Sequence, residues 1–551
     1  MKIIEKIKEI IKTKLEIKSN ILILIATVYF GTVLNLSLWR FIFEKISITS
    51  FSLFIFGFSL IFFVLFPLYL IFNIIILKHI AKPLLVLLLI LSSSCNYFMF
   101  NYSVFIDADM IRNIFETNTR EATDLITFKS FLYVFFTGII PAILVVLSKI
   151  KYSKFTKELK QRLLNVLIVL LITLVFGLIS FKHYASFLRN NREIRKLINT
   201  INYNYSLVKY FKKQALLKRE FIILDSEAKT IPYQTNDKKV FILVIGETAR
   251  SKNFSLYGYN KNTNPLLSKE DLVVFKNTKA CGTSTAISLP CIFSNQTKNN
   301  FDVVDSKYME NLVDIIKTAG YDVLWIENDD GCKGVCKNVE TIDAVQVNNE
   351  KYCDGSYCFD EAVIELLKEK LKKIQKDTVI ILHTMGSHGP TYYKRYPKEF
   401  EKFTPTCNTA EIQNCKVEEI QNTYDNTILY TDFVLSSVIN TLKKYSELQT
   451  GMLYVSDHGE SLGERNIYLH GLPYKIAPNE QKDVPMILWL SDKMKKNDFI
   501  NYSCLKNKGL NNNYSHDNFF HSVLSILTIK TKVYQNNLDF LKNCRTKTLP
   551  F

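Results

Sequence analysis

The 551-residue chain predicts an N-terminal five-helix transmembrane domain joined to a C-terminal α/β/α domain that folds in water. Three observations carry that prediction. Apolar runs long enough to cross a bilayer are confined to the first third of the chain. Strand-like apolar runs alternate with helical patterns in the rest, and ten of the 11 cysteines fall in the second half. The mean composition, 48% hydrophobic and 22% charged, hides this segregation and excludes a disordered or collagen-like chain.

A membrane span needs roughly 20 mostly apolar residues. Five stretches qualify, at about 20–39, 51–77, 80–101, 129–148 and 163–181. The first is too long for a cleavable signal peptide, and more spans follow it. Of the formal charge of +17, about half (+8) sits in residues 1–19 and 149–162, which flank apolar runs. That is the positive-inside pattern of cytoplasmic segments rather than a nucleic-acid footprint. With the start of the chain inside, five crossings put the 102–128 loop and everything after about Lys182 outside. The expected organisation is a membrane anchor over 1–182, a basic, aromatic, Asn-rich bridge over 183–237 lying along the outer membrane face, and a soluble domain over 238–551.

Two further features belong to this half. In residues 3–17, Ile3, Ile4, Ile7, Ile10, Ile11 and Leu15 share one helical face, which predicts an interfacial helix on the inner leaflet. In the outer loop, Asn113, Thr117 and Glu121 fall at i, i+4 and i+8 on one helix face, by itself an ordinary solvated row.

The soluble-half cysteines form four close pairs plus Cys504 and Cys544. An even count in close pairs predicts disulfides and an oxidising compartment, which places this half outside by an independent route. The sequence leaves the connectivity open; pairing neighbours would join Cys281 to Cys291, Cys332 to Cys336, Cys353 to Cys358, Cys407 to Cys415 and Cys504 to Cys544. A zinc ribbon is the alternative, but no His or second Cys pair stands at finger spacing.

Strand-like runs in the soluble half stop at polar clusters. KVFILVIG precedes Glu247, YDVLWIEN precedes Asp329 and Lys333, DTVIILHT precedes His388, and GMLYVS precedes Asp457-His458. Helical patterns at 311–318, 361–375 and 421–445 alternate with them, which predicts a largely parallel sheet whose ligand site lies beyond the carboxyl ends of its strands. Glu247, Asp457 and His458 then offer O/N ligation suited to zinc or manganese. In CGTSTAISLPC (281–291), small hydroxyl residues open an apolar segment, so a helix is expected to start there. A hydroxyl at a helix N-terminus sits in positive potential, and a dication lowers its pKa further. Spacing leaves Thr283, Ser284 and Thr285 open as the nucleophile, beside the plainer reading of a capped helix.

Together VIGETAR, CGTSTAISLPC, HTMGSHGPTYYKRYP, NTYDNTILYTD, SDHGESLGE and YLHGLPY resemble the phosphoethanolamine transferases that act on lipid A. That family includes the mobile colistin-resistance enzymes and belongs to the alkaline phosphatase/sulfatase superfamily. The resemblance spans nearly the whole chain. It implies a multi-pass protein of the bacterial inner membrane with a periplasmic α/β/α domain of alkaline phosphatase/sulfatase type. Carried over by motif, Thr285 is the nucleophile, and Glu247, Thr285, Asp457 and His458 hold one tightly bound zinc, with room for a second. His388 and His470 contact the transferred phosphate or an additional zinc, Lys333 lines the substrate pocket, and Asn113, Thr117 and Glu121 become a donor-lipid row. Asp330 departs from relatives that carry Ser there, and is expected to pair with Lys333 or an ethanolamine ammonium. His383, His516 and His521 read as structural, His516 nearest the pocket.

The implied reaction moves phosphoethanolamine from phosphatidylethanolamine to lipid A, or another envelope acceptor, through a covalent phospho-threonine, on a monomer with no nucleic-acid partner. Masking a lipid A phosphate would weaken attraction for polymyxin and other cationic peptides. The alternatives are a phosphoglycerol transferase of lipoteichoic type, a phosphoethanolamine transferase for a different glycan or protein, and an inactive metal-binding scaffold. The disulfide-dense domain argues against the first, and intact candidates at every catalytic position argue against the last. A sulfatase is disfavoured because no CxPxR-type sequence occurs.

Overall fold

Five helices are long and apolar enough to cross a membrane: Ser19–Lys45, Phe51–Ile75, Ala81–Tyr102, Phe128–Leu147 and Phe155–Ile179. They belong to a computed structural model that describes residues 16–46, 50–117, 122–123, 125–191, 193–215, 220–231, 237–410 and 412–547. The chain forms two compact units, one of Met1–Ile111 with Ile126–Lys213, the other of Arg112–Leu125 with Gln214–Phe551.

In the first unit the spans fall within a few residues of their expected places, apart from the fifth. Its helix starts at Phe155, so the second half of the Lys-rich 149–162 patch is helix rather than loop. The reason is an i,i+4 pair: Arg162 Nε donates to Glu158 Oε1 at 3.1 Å, and its guanidinium also donates to the carbonyls of Asn73 (2.7 Å) and Ile76 (3.0 Å), which the end of the second span leaves open. The expected interfacial helix over 3–17 lies mostly outside the described residues. Its last residues are not helical: Glu16–Lys18 pairs as a short parallel strand with Lys149–Lys151, setting Glu16 against Lys149 and Lys151.

The first span breaks at Thr32–Asn35. There the Asn35 amide donates to Phe30 O at 2.7 Å, and its Oδ1 accepts from the Asn199 N–H at 2.8 Å. Asn199, at the start of the helix Asn199–Ala215, also donates to Leu34 O at 2.9 Å and to Ser92 O at 2.7 Å. In the fourth span a wide π-turn at Phe135–Ile139 precedes Pro141, whose ring cannot follow a regular α-turn.

The second unit is built on a seven-stranded sheet. In chain order its strands are β1 (Lys239–Gly246), β2 (Val273–Val274), β3 (Asp322–Glu327), β4 (Glu340–Asp343), β5 (Thr378–His383), β6 (Gln449–Ser456) and β7 (Met486–Leu490). The spatial order is β2-β7-β6-β1-β5-β3-β4. The five strands from β6 to β4 run parallel, β7 pairs antiparallel with β6, and β2 pairs antiparallel with β7 and so runs with the five. All eight residues of β1 are buried, as expected of a central parallel strand covered on both faces. Alternation divides them between two cores. Phe241, Leu243 and Ile245 pack with α1 (Thr285–Ile292), α2 (Leu312–Thr318) and α5 (Asp517–Ile526). Val240, Ile242 and Val244 pack with α3 (Glu361–Leu371) and α4 (Val417–Leu442). The result is an α/β/α sandwich. All ten soluble-half cysteines are joined as the neighbour pairing expects, and Cys95 is free.

Candidate active site

The parallel register sets Gly246 of β1 beside Ser456 of β6, so Glu247 and Asp457 leave adjacent strands at the same level. Asp457 N–H donates to Gly246 O at 2.9 Å, and Thr248 N–H returns a bond to Asp457 Oδ1 at 3.1 Å. Thr248 adopts φ +60°, a costly conformation for a β-branched residue. It is held there by the Tyr424 hydroxyl, which donates to Thr248 O at 2.7 Å, while the Thr248 hydroxyl donates to Glu247 Oε1. From the other side Gly386 presses on the same backbone. At its φ of +51° a Cβ would stand 2.7 Å from Glu247 O, so this loop can close on the site only with glycine there.

Helix α1 brings in the hydroxyl. Thr285 Oγ1 donates to Glu247 Oε2 at 3.0 Å and lies 3.5 Å from His458 Nε2. Of the other two candidate hydroxyls, that of Thr283 is tied to Leu472 O at 2.6 Å, and Ser284 is the extended residue that starts the helix. His458 Nδ1 lies 3.0 Å from Gly459 O, which assigns its proton to Nδ1 and leaves the Nε2 lone pair facing Glu247 Oε1 and Asp457 Oδ2, each at 3.3 Å. Asp457 Oδ2 is buried with no hydrogen-bond partner among the described residues. Two carboxylates, an imidazole lone pair and a hydroxyl therefore converge without enough donors to satisfy them, a set that fits a divalent cation with O/N ligands. Glu247, Asp457 and His458 are wholly buried, while Thr285 keeps 9% of its surface exposed, so the site opens at the hydroxyl.

The electrostatics match this crowding. Burial raises the Asp457 carboxyl, and the neighbouring charge of Glu247 pushes it well above the usual carboxylate range. Burial acts upward on Glu247 as well, but attraction to His458 holds it well below that range. Despite burial, His458 is raised to about 10 by Asp457 and Glu247, so its Nε2 position takes either a proton or a cation. Positive charge is what this cluster draws in.

The remaining predicted residues fall in two groups. The His470 ring lies 4.3 Å from that of His458 and 5.9 Å from that of His388, which puts the three histidines in one row. His470 Nδ1 is 3.0 Å from Glu460 Oε2, and Glu460 Oε1 accepts from the Tyr392 hydroxyl at 3.0 Å. Lys333 sits at φ +49° in the Cys332–Cys336 loop, and its Nζ donates to Asp330 Oδ2 and Asp330 O, both at 2.7 Å, and to Glu116 O at 3.4 Å. Asp330 thus takes the first of its two expected partners. Asn113 and Thr117 share a face at the end of the helix Ala108–Glu116, where the Thr117 hydroxyl donates to Asn113 O at 2.7 Å. Glu121 lies outside the described residues.

His516 is a strut. Its Nδ1 accepts from the Cys281 N–H at 3.1 Å and its Nε2–H donates to Ser456 O at 3.0 Å, and burial pushes its pKa down to about 3. Sequence reasoning passed over Glu460, although it stands two residues after His458 in SDHGE, and over Thr248 and the Glu327–His383 contact. Only the last left no mark in the sequence, because it is a cross-strand pairing between β3 and β5.

A family model described as phosphoethanolamine transferase EptA/EptB matches residues 61–215, and the sulfatase model matches residues 239–529. EptA of Escherichia coli K12 is 40% identical over 470 residues, 84% of this chain and 86% of that protein. The chain belongs to the EptA family of phosphoethanolamine transferases. Within it, phosphatidylethanolamine transferase Mcr-1 of Escherichia coli is 35% identical over 426 residues, 75% of this chain and 79% of its own. The solved integral membrane lipooligosaccharide phosphoethanolamine transferase A of Neisseria meningitidis superposes with a TM-score of 0.92 at 37% identity, covering 95% of this chain and 98% of that one. As an EptA-family transferase the chain combines a five-helix membrane domain with a sulfatase-type α/β domain.

Proposed function

We propose that this phosphoethanolamine transferase moves the headgroup of phosphatidylethanolamine to lipid A by way of phosphoethanolamine-Thr285. The observation that carries the reading is the Thr285 hydroxyl, 3.0 Å from Glu247 and at the open edge of a buried carboxylate–histidine cluster. Phosphatidylethanolamine appears in the name of Mcr-1 and lipooligosaccharide in that of the Neisseria relative, which supports the donor and the acceptor. The working organisation is an anchor over 1–182 in the inner membrane, a bridge over 183–237 and a periplasmic catalytic domain over 238–551, acting as a monomer.

Glu247, Thr285, Asp457 and His458 would hold one zinc ion, which supplies a lowered hydroxyl pKa and a counter-charge for phosphate. The Thr285 proton points along its bond to Glu247 Oε2 and leaves on that line as Oγ1 attacks phosphorus. The Oγ1–P bond forms, the bond from phosphorus to the diacylglycerol oxygen breaks, and that oxygen takes a proton from the His388/His470 row. A lipid A phosphate oxygen then attacks the same phosphorus and gives its proton back to the His388/His470 row, while the Oγ1–P bond breaks and Oγ1 recovers its proton along the line to Glu247 Oε2. The N-terminus of α1 faces the phosphate with positive potential throughout. Lys333 binds at the substrate pocket, and Asn113, Thr117 and Glu121 contact the donor lipid. The product carries a masked phosphate and attracts polymyxin less.

Full-length protein incubated with phosphatidylethanolamine in detergent should gain the mass of one phosphoethanolamine, localised to Thr285 by peptide mapping. Lipid A from cells expressing the protein should gain the same mass. A Thr285→Ala protein that still accumulates the adduct would refute the nucleophile, and unmodified lipid A beside an intact adduct would redirect the acceptor.

A further inference from the structure

Next to the Thr285 cluster lies a second constellation that transfer does not employ. Its own members come from the ends of β3 and β5, and it borders Glu247 at the end of β1. His383 is wholly buried, and its Nδ1 lies 2.8 and 3.0 Å from the two oxygens of Glu327. Glu327 is itself fixed by the Trp325 indole N–H at 2.8 Å and the Asp329 N–H at 2.7 Å. The Nδ1 proton therefore belongs to the Glu327 contact, which leaves Nε2 as the position that takes either a second proton or a metal ion. Nε2 has no hydrogen-bond partner among the described residues. The carboxylates on that side are Asp329, whose Oδ2 lies 3.6 Å away, and Glu247. One ligand atom each from Glu247, Asp329 and His383 lie within 4.8 Å of one another, and all three residues are buried.

A histidine whose outer nitrogen is clamped by a carboxylate, while its other nitrogen faces carboxylate oxygens, has the arrangement of a metal ligand with its orienting partner. We propose that Glu247, Asp329 and His383 form a second divalent-cation site, oriented by Glu327, with Glu247 shared between this site and the Thr285 cluster. Two carboxylates and one imidazole suit Mn²⁺ or Zn²⁺. The site is separate from His388 and His470, where family resemblance would put an additional zinc. Its role is positional: it fixes the Glu247 carboxylate that receives the Thr285 hydroxyl bond.

The test is to strip full-length protein in detergent with a chelator, dialyse it against excess Zn²⁺ or Mn²⁺, count bound metal by mass spectrometry, and locate it by anomalous diffraction from wild-type crystals. Two ions per chain are expected, with one anomalous peak between Glu247, Asp329 and His383. Asp329→Asn and His383→Gln should each lower the count to one, and Glu247→Gln should lower it further. A wild-type count of one at saturating metal overturns the proposal, because His383 is then a buried imidazolium. A second peak found only at His388 and His470 overturns it as well. The wild-type map decides even where a variant fails to fold. The covalent adduct on Thr285 is read separately, so failure of this site and failure of the transfer reading give different results.

Discussion

In the membrane unit the fifth span buries only 6% of its most apolar window, whereas in the catalytic unit every residue of β1 is buried. The polar groups are distributed the other way. Inside the membrane unit Asn35, Asn199 and the Glu158–Arg162 pair join elements more than 80 residues apart in sequence. In the catalytic unit the functional polar groups collect where strands end. The difference follows from solvent. Lipid tails do not drive apolar surface inward, so internal hydrogen bonds decide which helices meet. Water does drive it inward, and a fully apolar sheet leaves its strand ends as the place for polar groups.

The largest expected effect sharpens that contrast within the catalytic unit. Thr285→Ala should lower transfer by at least about 10³-fold while leaving the thermal transition unchanged, because the hydroxyl supports chemistry and not packing. Mass spectrometry of lipid A beside calorimetry of the purified protein checks both halves. Next, replacing Cys504 and Cys544 together by Ser opens a loop with a sequence separation of 40, and should cost the catalytic unit about 4 kcal/mol. Denaturant unfolding reads this, and a matching loss in the membrane unit, which holds only the free Cys95, would break the comparison.

Asn199→Leu removes two side-chain hydrogen bonds inside the membrane unit and should destabilise it by about 1–2 kcal/mol, measured by unfolding in mixed detergent micelles. An unchanged midpoint would mean that apolar packing, not polar cross-linking, holds that unit. The last effect, spread over pH and absent at neutrality, is acid sensitivity of the catalytic unit. Burial lowers the pKa of His521 from its ordinary 6.5 to about 4. Between these values the unfolded chain binds a proton that the folded chain refuses, so stability falls as pH falls from 6.5 to 4, by at most about 1.4 kcal/mol per pH unit. His521→Asn should flatten that part of the stability–pH curve.

How much could be read beforehand differs between elements for physical reasons. β1 is legible because a strand covered on both faces is an unbroken apolar run. β2 is two residues long, and the edge strand β4 reads Glu-Thr-Ile-Asp, so neither has a pattern to find. Glu247, Asp457 and His458 stood out because each follows a buried strand directly. The 149–162 patch misled because its lysines resemble a cytoplasmic loop, whereas Glu158 and Arg162 four residues on already favoured a helix. Asp330 was left between two partners, and at i,i+3 the Lys333 ammonium was the nearer one.

Hydropathy and cysteine placement, read along one dimension, determine which solvent each half meets and where the long apolar strands stop. They cannot choose among three adjacent hydroxyls, set Glu247 against Asp457, or bring His383 up to Glu247. Those choices depend on distances of a few ångströms between residues 38 to more than 200 positions apart. Only the register of the parallel sheet and the entry of α1 set such distances, because no local interaction in the chain spans them.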